Sequence, residues 1–316
     1  MSQAQKKLDI IVSVDWEGRN LTDDNLKVMS DFRDRYEEIP IQQFLNASYY
    51  SRGDMSPDDV TERINRVLRP GDEHGLHIHG WKSLFAASGV EPKEKPTLFN
   101  DETPLKVHEG DWGHEVCIDA YTTKELRAVI QYSVERLTDA GFDYPKSFRA
   151  GAWLAAPNVL EALAAEGFIW DCSAAWIEPL QQRWGKYYLY DRNSELWPGV
   201  NQLSQPWEIS TPAGPLQEIP NNGCLADYVS ADCILDSFQK NVDLKSVEDQ
   251  PKVLSIGFHQ ETAEKFLHVL DEAIPRLYQE ARRQGVVINF RVNRLTTSIV
   301  SSMEACSVRE LSALHP

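Results

Sequence analysis

The chain has 316 residues and a mass of 36.0 kDa, with 48 Asp and Glu against 32 Lys and Arg, a formal net charge of -16 and a pI near 4.9. Its 42% hydrophobic and 25% charged residues are those of an ordinary globular protein long enough to bury a large core. A surface this acidic repels polyanions, so nucleic acid and anionic membranes are excluded as expected partners.

In chain order, short β-branched runs alternate with segments of helical period. Strands are expected at residues 8–14, 41–47, 75–79, 146–150, 168–171, 253–258 and 286–290. Helices are expected at 24–36, 57–68, 123–140, 157–166, 231–241 and 262–284. Ser56 before Pro57 reads as an N-cap with proline at the first helical position, and Gly141, Gly167 and Gly285 read as residues just past helix ends. Such alternation predicts a parallel sheet flanked by helices, either a barrel or an open α/β fold. The whole of 1–316 reads as one domain. Two stretches, 82–120 and 181–223, break the alternation, either as lids near the rim or as surface insertions with small strands of their own.

Five cysteines (Cys117, Cys172, Cys224, Cys233, Cys306) without CxxC spacing argue against a disulfide framework or a thiolate zinc cluster. The first apolar run, LDIIVSV, is too short for a secretory core, and no stretch approaches the roughly 20 apolar residues of a membrane span. The expectation is a cytoplasmic protein.

Polar residues gather where expected strands end: Asp15-Trp16-Glu17-Gly18, His77-Ile78-His79-Gly80-Trp81, Arg149-Ala150-Gly151-Ala152-Trp153, and Gly257-Phe258-His259. The C-terminal ends of parallel strands are where α/β folds place their sites. On a strand, residues two apart share a face, so His77 pairs with His79 and Asp15 with Glu17. Two imidazoles and a carboxylate suit Zn²⁺ or another divalent ion, and a second carboxylate could take the proton of a water there. Of the nine tryptophans, Trp16, Trp81, Trp153, Trp170 and Trp176 lie in or beside these motifs, either as core packing or as faces for a sugar to stack on.

SVDWEG, EHGLHIHGW, SFRAGAW, FIWDCSAAW and VLSIGFHQE, in this order, resemble the five motifs of the polysaccharide deacetylases, carbohydrate esterase family four or the NodB-homology superfamily. The resemblance spans roughly residues 8–290. It implies an α/β fold, a distorted (β/α) barrel of about seven parallel strands with long rim loops. It implies Asp15 as general base, Glu17, His77 and His79 as ligands of one divalent metal ion (Zn²⁺ first among the candidates), Arg149 as the tether of the base, and His259 as general acid. Asp171 falls in the fourth motif, which orients the acid or lines the pocket, and with Trp16, Trp81 and Trp153 it is expected to meet the substrate. The implied reaction is metal-dependent hydrolysis of an acetyl group on a sugar or glycan precursor. Water, deprotonated by Asp15, attacks the carbonyl, and His259, kept protonated by a neighbouring carboxylate, protonates the leaving amine.

Two departures stand out. Trp16 separates Asp15 from Glu17 where the family has adjacent aspartates, and the histidines are two apart rather than four. His74 stands upstream at an odd offset from both, hence on the other strand face. Other readings of the same barrel are hydrolysis of a non-sugar amide or cyclic ureide, and a degenerate barrel that only binds glycan. His108 and His114, in the first insertion, read as exposed loop residues.

Overall fold

The apolar runs form strands because each is covered on both faces, by helices outside and by a packed interior within. The computed structural model describes residues 6–100, 111–113, 116–244 and 252–293. Its strands are β1 (Lys7–Asp15), β2 (Ile41–Leu45), β3 (Glu73–Ile78), β4 (Ser147–Ala150), β5 (Trp170–Asp171), β6 (Trp207–Thr211), β7 (Gly214–Glu218), β8 (Lys252–His259) and β9 (Val287–Phe290). They form one nine-stranded sheet of order β6-β7-β5-β4-β3-β2-β1-β8, with β9 also paired to β1. Every pairing is parallel except the β6–β7 hairpin. The sheet curls into a distorted (β/α) barrel.

β1 is the hub. One edge pairs with β8 from Leu8 to Asp15. The other is shared, β9 taking Lys7–Ile10 and β2 taking Val12–Asp15. Ile10, Val12 and Val14 pack outward in the main core, while Ile11 points inward to Phe44, Trp170, Cys172, Ile219 and Val253, which form an apolar floor. Above that floor, on the same inner face, come Ser13 and then Asp15, so β1 passes from packing to chemistry along one face.

The helices follow their sequence signals. Thr22 and Ser56 cap the helices Asp23–Arg35 and Pro57–Asn65 through the backbone N–H groups of Asn25 and Asp59. Thr122 and Glu125 make a reciprocal capping box on Thr123–Asp139. Gly285 ends His268–Gln284 in the left-handed region at φ 67°.

One expectation is corrected. The helix expected over 262–284 is interrupted: Gln260–Thr262 is a 3₁₀ turn, followed by Ala263–Phe266 and then His268–Gln284. The interruption turns Glu261 and Thr262 back toward the strand ends, where they bond Arg19 and Asp227. The two insertions carry structure of their own, and the second holds small strands, as one of its two readings expected. Residues 82–120 include the helix Lys82–Ala87, and 181–223 hold the helices Gln181–Trp184 and Tyr188–Leu196 and the whole β6–β7 hairpin, which adds two strands to the seven expected. The turn between β6 and β7 hangs on Thr211 Oγ1, which donates to the Gly214 carbonyl at 2.6 Å. His108 and His114 lie outside the described residues.

The ring is closed between β7 and β8 without a strand. The segment after β7 crosses from one side to the other through two isolated parallel bridges, Ala175 with Asn221 and Leu225 with Gly257. Backbone N–H groups of Gly223 and Ala226 donate to the carbonyls of Ser255 and Gly257 at 2.9 and 2.8 Å.

Candidate active site

β1 ends at Asp15, and Gly18, two residues past Trp16, turns the chain sharply at φ +90°. A Cβ there would lie 2.0 Å from Ser48 Oγ and 2.7 Å from the Trp81 indole nitrogen, so only glycine fits. The Trp81 indole N–H donates to the Glu17 carbonyl at 3.0 Å and holds this turn in place. The Glu17 carboxylate thereby meets the end of β3. Its Oε1 is 3.3 Å from His77 Nε2 and its Oε2 is 2.7 Å from His79 Nε2. The imidazole rings are 4.9 Å apart and nearly perpendicular.

All three side chains are buried. Burial alone would raise the Glu17 carboxyl, but the charges and hydrogen bonds of His79 and His77 outweigh it and hold Glu17 well below its ordinary value. Burial would likewise lower His77, yet its bond to Glu17 and the charges of Glu17 and Asp15 leave it raised. His77 Nδ1 donates to the Arg149 carbonyl at 2.8 Å, which fixes the ring and leaves Nε2 as the atom offered to a ligand.

The donor atoms of Glu17, His77 and His79 lie within 4.8 Å of one another, and a second set, Asp15, Glu17 and His259, meets the same distance. The first fits a divalent cation better. Its three groups point their acceptor atoms at one another with no fixed cation among them, whereas Asp15 is already paired with Arg149 and His259 with Asp227. Two imidazoles and one carboxylate, with an outer carbonyl orienting one imidazole, are a common protein set for zinc.

Arg149, from β4, is 1% exposed and fully used. Its Nη1 donates to Asp15 Oδ1 at 2.7 Å and Ser13 Oγ at 2.8 Å, its Nη2 to Asn221 Oδ1 at 3.0 Å, and its Nε to the Cys172 carbonyl at 2.9 Å. The guanidinium lies over the Phe44 ring of the floor at 4.4 Å. Asp15 therefore has one fixed orientation.

His259, at the end of β8, faces Asp227: Nδ1 is 3.1 Å from Asp227 Oδ2, and Nε2 is 3.7 Å from Glu17 Oε1. Burial pulls the imidazole down, but Asp227, with Glu17 and Asp15 behind it, pushes its pKa up to about 10. Asp227 also accepts from Thr262 and the His259 backbone N–H. The carboxylate partner of His259 is thus Asp227, which no sequence motif marked, and not Asp171.

Asp171 is fully buried beneath the site. Its Oδ1 accepts from Ser173 Oγ at 2.7 Å, and Ser173 Oγ in turn accepts from the Ala150 N–H at 2.9 Å. Asp171 Oδ2 and Glu218 Oε2 are buried with no other donor. Burial and then the charge of Asp171 raise Glu218 well above the ordinary carboxyl value, so Glu218 keeps a proton and shares it with Asp171.

These groups open on a cavity of about 120 Å³ whose wall includes Asp15, Glu17, His77, His79, Asp227 and His259. Trp153 is the tryptophan of the three expected at the substrate that reaches this wall. Ala152 and Trp153 stand at φ 53° and 59°, a costly conformation for non-glycine residues. It is held by Asn193 Nδ2 on the Ala152 carbonyl and by Trp197 Nε1 on the Trp153 carbonyl, at 2.8 and 2.9 Å. Trp16 and Trp81 are corrected to packing roles: they are 0% and 1% exposed, with Trp16 donating to Gln43 and Trp81 to Glu17. Asp171 is likewise absent from the wall. His74 points away, accepting the Asp143 N–H beside Phe142. The far wall carries Glu261, the last residue of the fifth motif, together with Arg19, Phe99, Arg183, Trp184 and Tyr228, which lie outside the motifs.

No family model and no curated protein matches the sequence. Among solved structures, a protein of Mycobacterium smegmatis described as a polysaccharide deacetylase superposes with a TM-score of 0.56 at 11% identity, over 97% of this chain and 94% of that one. PuuE allantoinase gives 0.49 at 15% identity over 100% and 93%, and a family 4 carbohydrate esterase from Streptomyces lividans gives 0.40 at 10% over 90% and 92%. A curled parallel sheet with its polar strand ends on one rim, superposing along nearly its whole length on the first of these, identifies the chain as having the polysaccharide deacetylase fold.

Proposed function

We propose that the protein is a metal-dependent hydrolase that removes an acetyl group from an acetamido sugar or glycan precursor. One observation carries the reading: the Glu17–His77–His79 set, the Arg149-held Asp15 and the Asp227-held His259 all face the same small cavity. A divalent ion held by Glu17, His77 and His79 would supply Lewis acidity toward the acetyl carbonyl and toward water.

The chain's own groups divide the proton work. Arg149 fixes Asp15 so that its carboxylate can accept a proton from the attacking water. Asp227 keeps His259 charged, so Nε2 carries the proton that the departing amine needs. Trp153, beside the acid at 6.5 Å between ring centroids, offers a face for the sugar. Base and acid are thus each held by a buried partner of opposite charge before substrate arrives.

Acetate release from N-acetylated monosaccharides, followed with purified protein, tests this. Chelation should abolish it and Zn²⁺ restore it, while Asp15→Asn should lower kcat by about 10²–10⁴-fold. Release that persists unchanged in Asp15→Asn overturns the assignment. No described helix is long and apolar enough to cross a membrane.

A further inference from the structure

Two arginines reach the cavity wall, in opposite states. Arg19 is neutralised by both carboxylate oxygens of Glu261. Arg183, in the short helix Gln181–Trp184, makes no hydrogen bond and no ion pair among the described residues. Its guanidinium instead lies on rings, 4.7 Å from the Trp184 centroid and 5.7 Å from that of Tyr228. The carboxylates of the cavity are each taken: Asp15 by Arg149, Glu17 by His77 and His79, Asp227 by His259, Glu261 by Arg19. In a chain where acidic residues outnumber basic ones 48 to 32, a cavity cation with no counter-ion among the described residues is unusual.

Stacking on two rings restrains the plane of the guanidinium and leaves its N–H edge available, the form in which arginine grips carboxylate and phosphate with two parallel bonds. Tyr228 fixes the spacing. It stands edge-on to His259 at 5.9 Å and to Trp153 at 5.9 Å while lying beneath Arg183. A ligand whose amide nitrogen meets His259 reaches Arg183 by crossing a single aromatic ring.

We infer that the substrate is an acetamido sugar bearing an anionic oxygen group, a carboxylate or a phosphate, and that Arg183 selects it. The identity of the amide end rests on the deacetylase reading above; the anionic end does not. Arg183 also explains how so acidic a protein admits such a substrate, since it supplies the one uncommitted positive charge among the described residues of the wall.

The test compares wild type, Arg183→Gln and Arg183→Lys on N-acetylglucosamine, N-acetylglucosaminuronic acid and N-acetylglucosamine 1-phosphate. Wild type should favour one anionic sugar over the neutral one in kcat/KM, and which one separates carboxylate from phosphate. Arg183→Gln should cut that preference by about tenfold or more, mainly through KM, with Arg183→Lys recovering part of it. An anionic-to-neutral ratio unchanged in Arg183→Gln overturns the inference. If no sugar releases acetate, the reaction assignment fails instead. The anion site is then decided by tryptophan fluorescence titrations with glucuronate and glucose 1-phosphate: saturation weakened about tenfold in Arg183→Gln supports it, and identical curves refute it.

Discussion

The backbone carbonyl of Arg149 accepts the Nδ1–H of His77 while its guanidinium holds Asp15, so one residue of β4 orients both a candidate metal ligand and the candidate base. The link follows from register, since His77 and Arg149 are direct partners in the β3–β4 pairing. Arg149→Lys keeps the charge but loses the fork that reaches Asp15, Ser13, Asn221 and Cys172 together. Its kcat should fall by roughly 10²-fold, because small misplacements of a base cost about that much. Arg149→Gln, which strands a buried Asp15, should lower unfolding free energy by about 3–5 kcal/mol in urea titrations.

With His259 as the proposed acid, the Asp227–His259 pair should set the alkaline limit of activity. The acid must be protonated, so kcat/KM should decline as pH rises through the His259 value of about 10. Asp227→Asn removes the main influence that raises it. The alkaline limb should then move to lower pH by about a unit or more, read from kcat/KM between pH 6 and 10. An unmoved limb would show that His259 is not the acid.

Glu218 holds its proton in the fold at a pH where an unfolded glutamate has lost it. Its contribution to stability is complete below the unfolded value near pH 4.3 and drains away as pH rises toward the raised folded value. Gln at 218 donates to Asp171 permanently and can still accept from the Ala174 N–H, as Glu218 Oε1 does at 2.8 Å. Glu218→Gln should therefore gain stability relative to wild type with rising pH, with a slope approaching about 1.4 kcal/mol per unit. Chemical denaturation at pH 5, 6.5 and 8 measures it.

Gly151 presses on His79: a Cβ there would lie 2.6 Å from the ring and 2.7 Å from the Ile78 carbonyl. Gly151→Ala should displace this imidazole and weaken Zn²⁺ binding about 10–100-fold by calorimetric titration, the range seen when the support of a metal ligand is lost.

The strand ends were legible in sequence because parallel strands buried on both faces are apolar until they emerge, so Asp15, His77, Arg149 and His259 stand out at their ends. The alternation in His77-Ile78-His79 likewise announced a shared face. The tryptophans misled: an indole beside a motif reads the same whether it is packed away from the cavity, as Trp16 and Trp81 are, or lines it, as Trp153 does. Asp227 left no signal, since it belongs to an irregular stretch with neither strand nor helix period, and its role comes only from folding against β8. The β6–β7 hairpin was hidden by its half-exposed strands, which lack the apolar runs of the buried ones, and by Pro215 within one of them.

The strandless crossing between β7 and β8 has a consequence for the order in which the protein fails. Asn221 and Asp227, the partners of Arg149 and His259, are both carried by or beside this crossing, which two isolated bridges anchor. A few backbone bonds resist local opening far less than the full ladders around β1. Under mild denaturant the crossing should detach first, taking one acceptor from Arg149 and the carboxylate from His259 while the sheet persists. Catalysis would then vanish at a denaturant concentration below the one that erases the circular dichroism of the fold, making turnover the most sensitive gauge of whether the ring is shut.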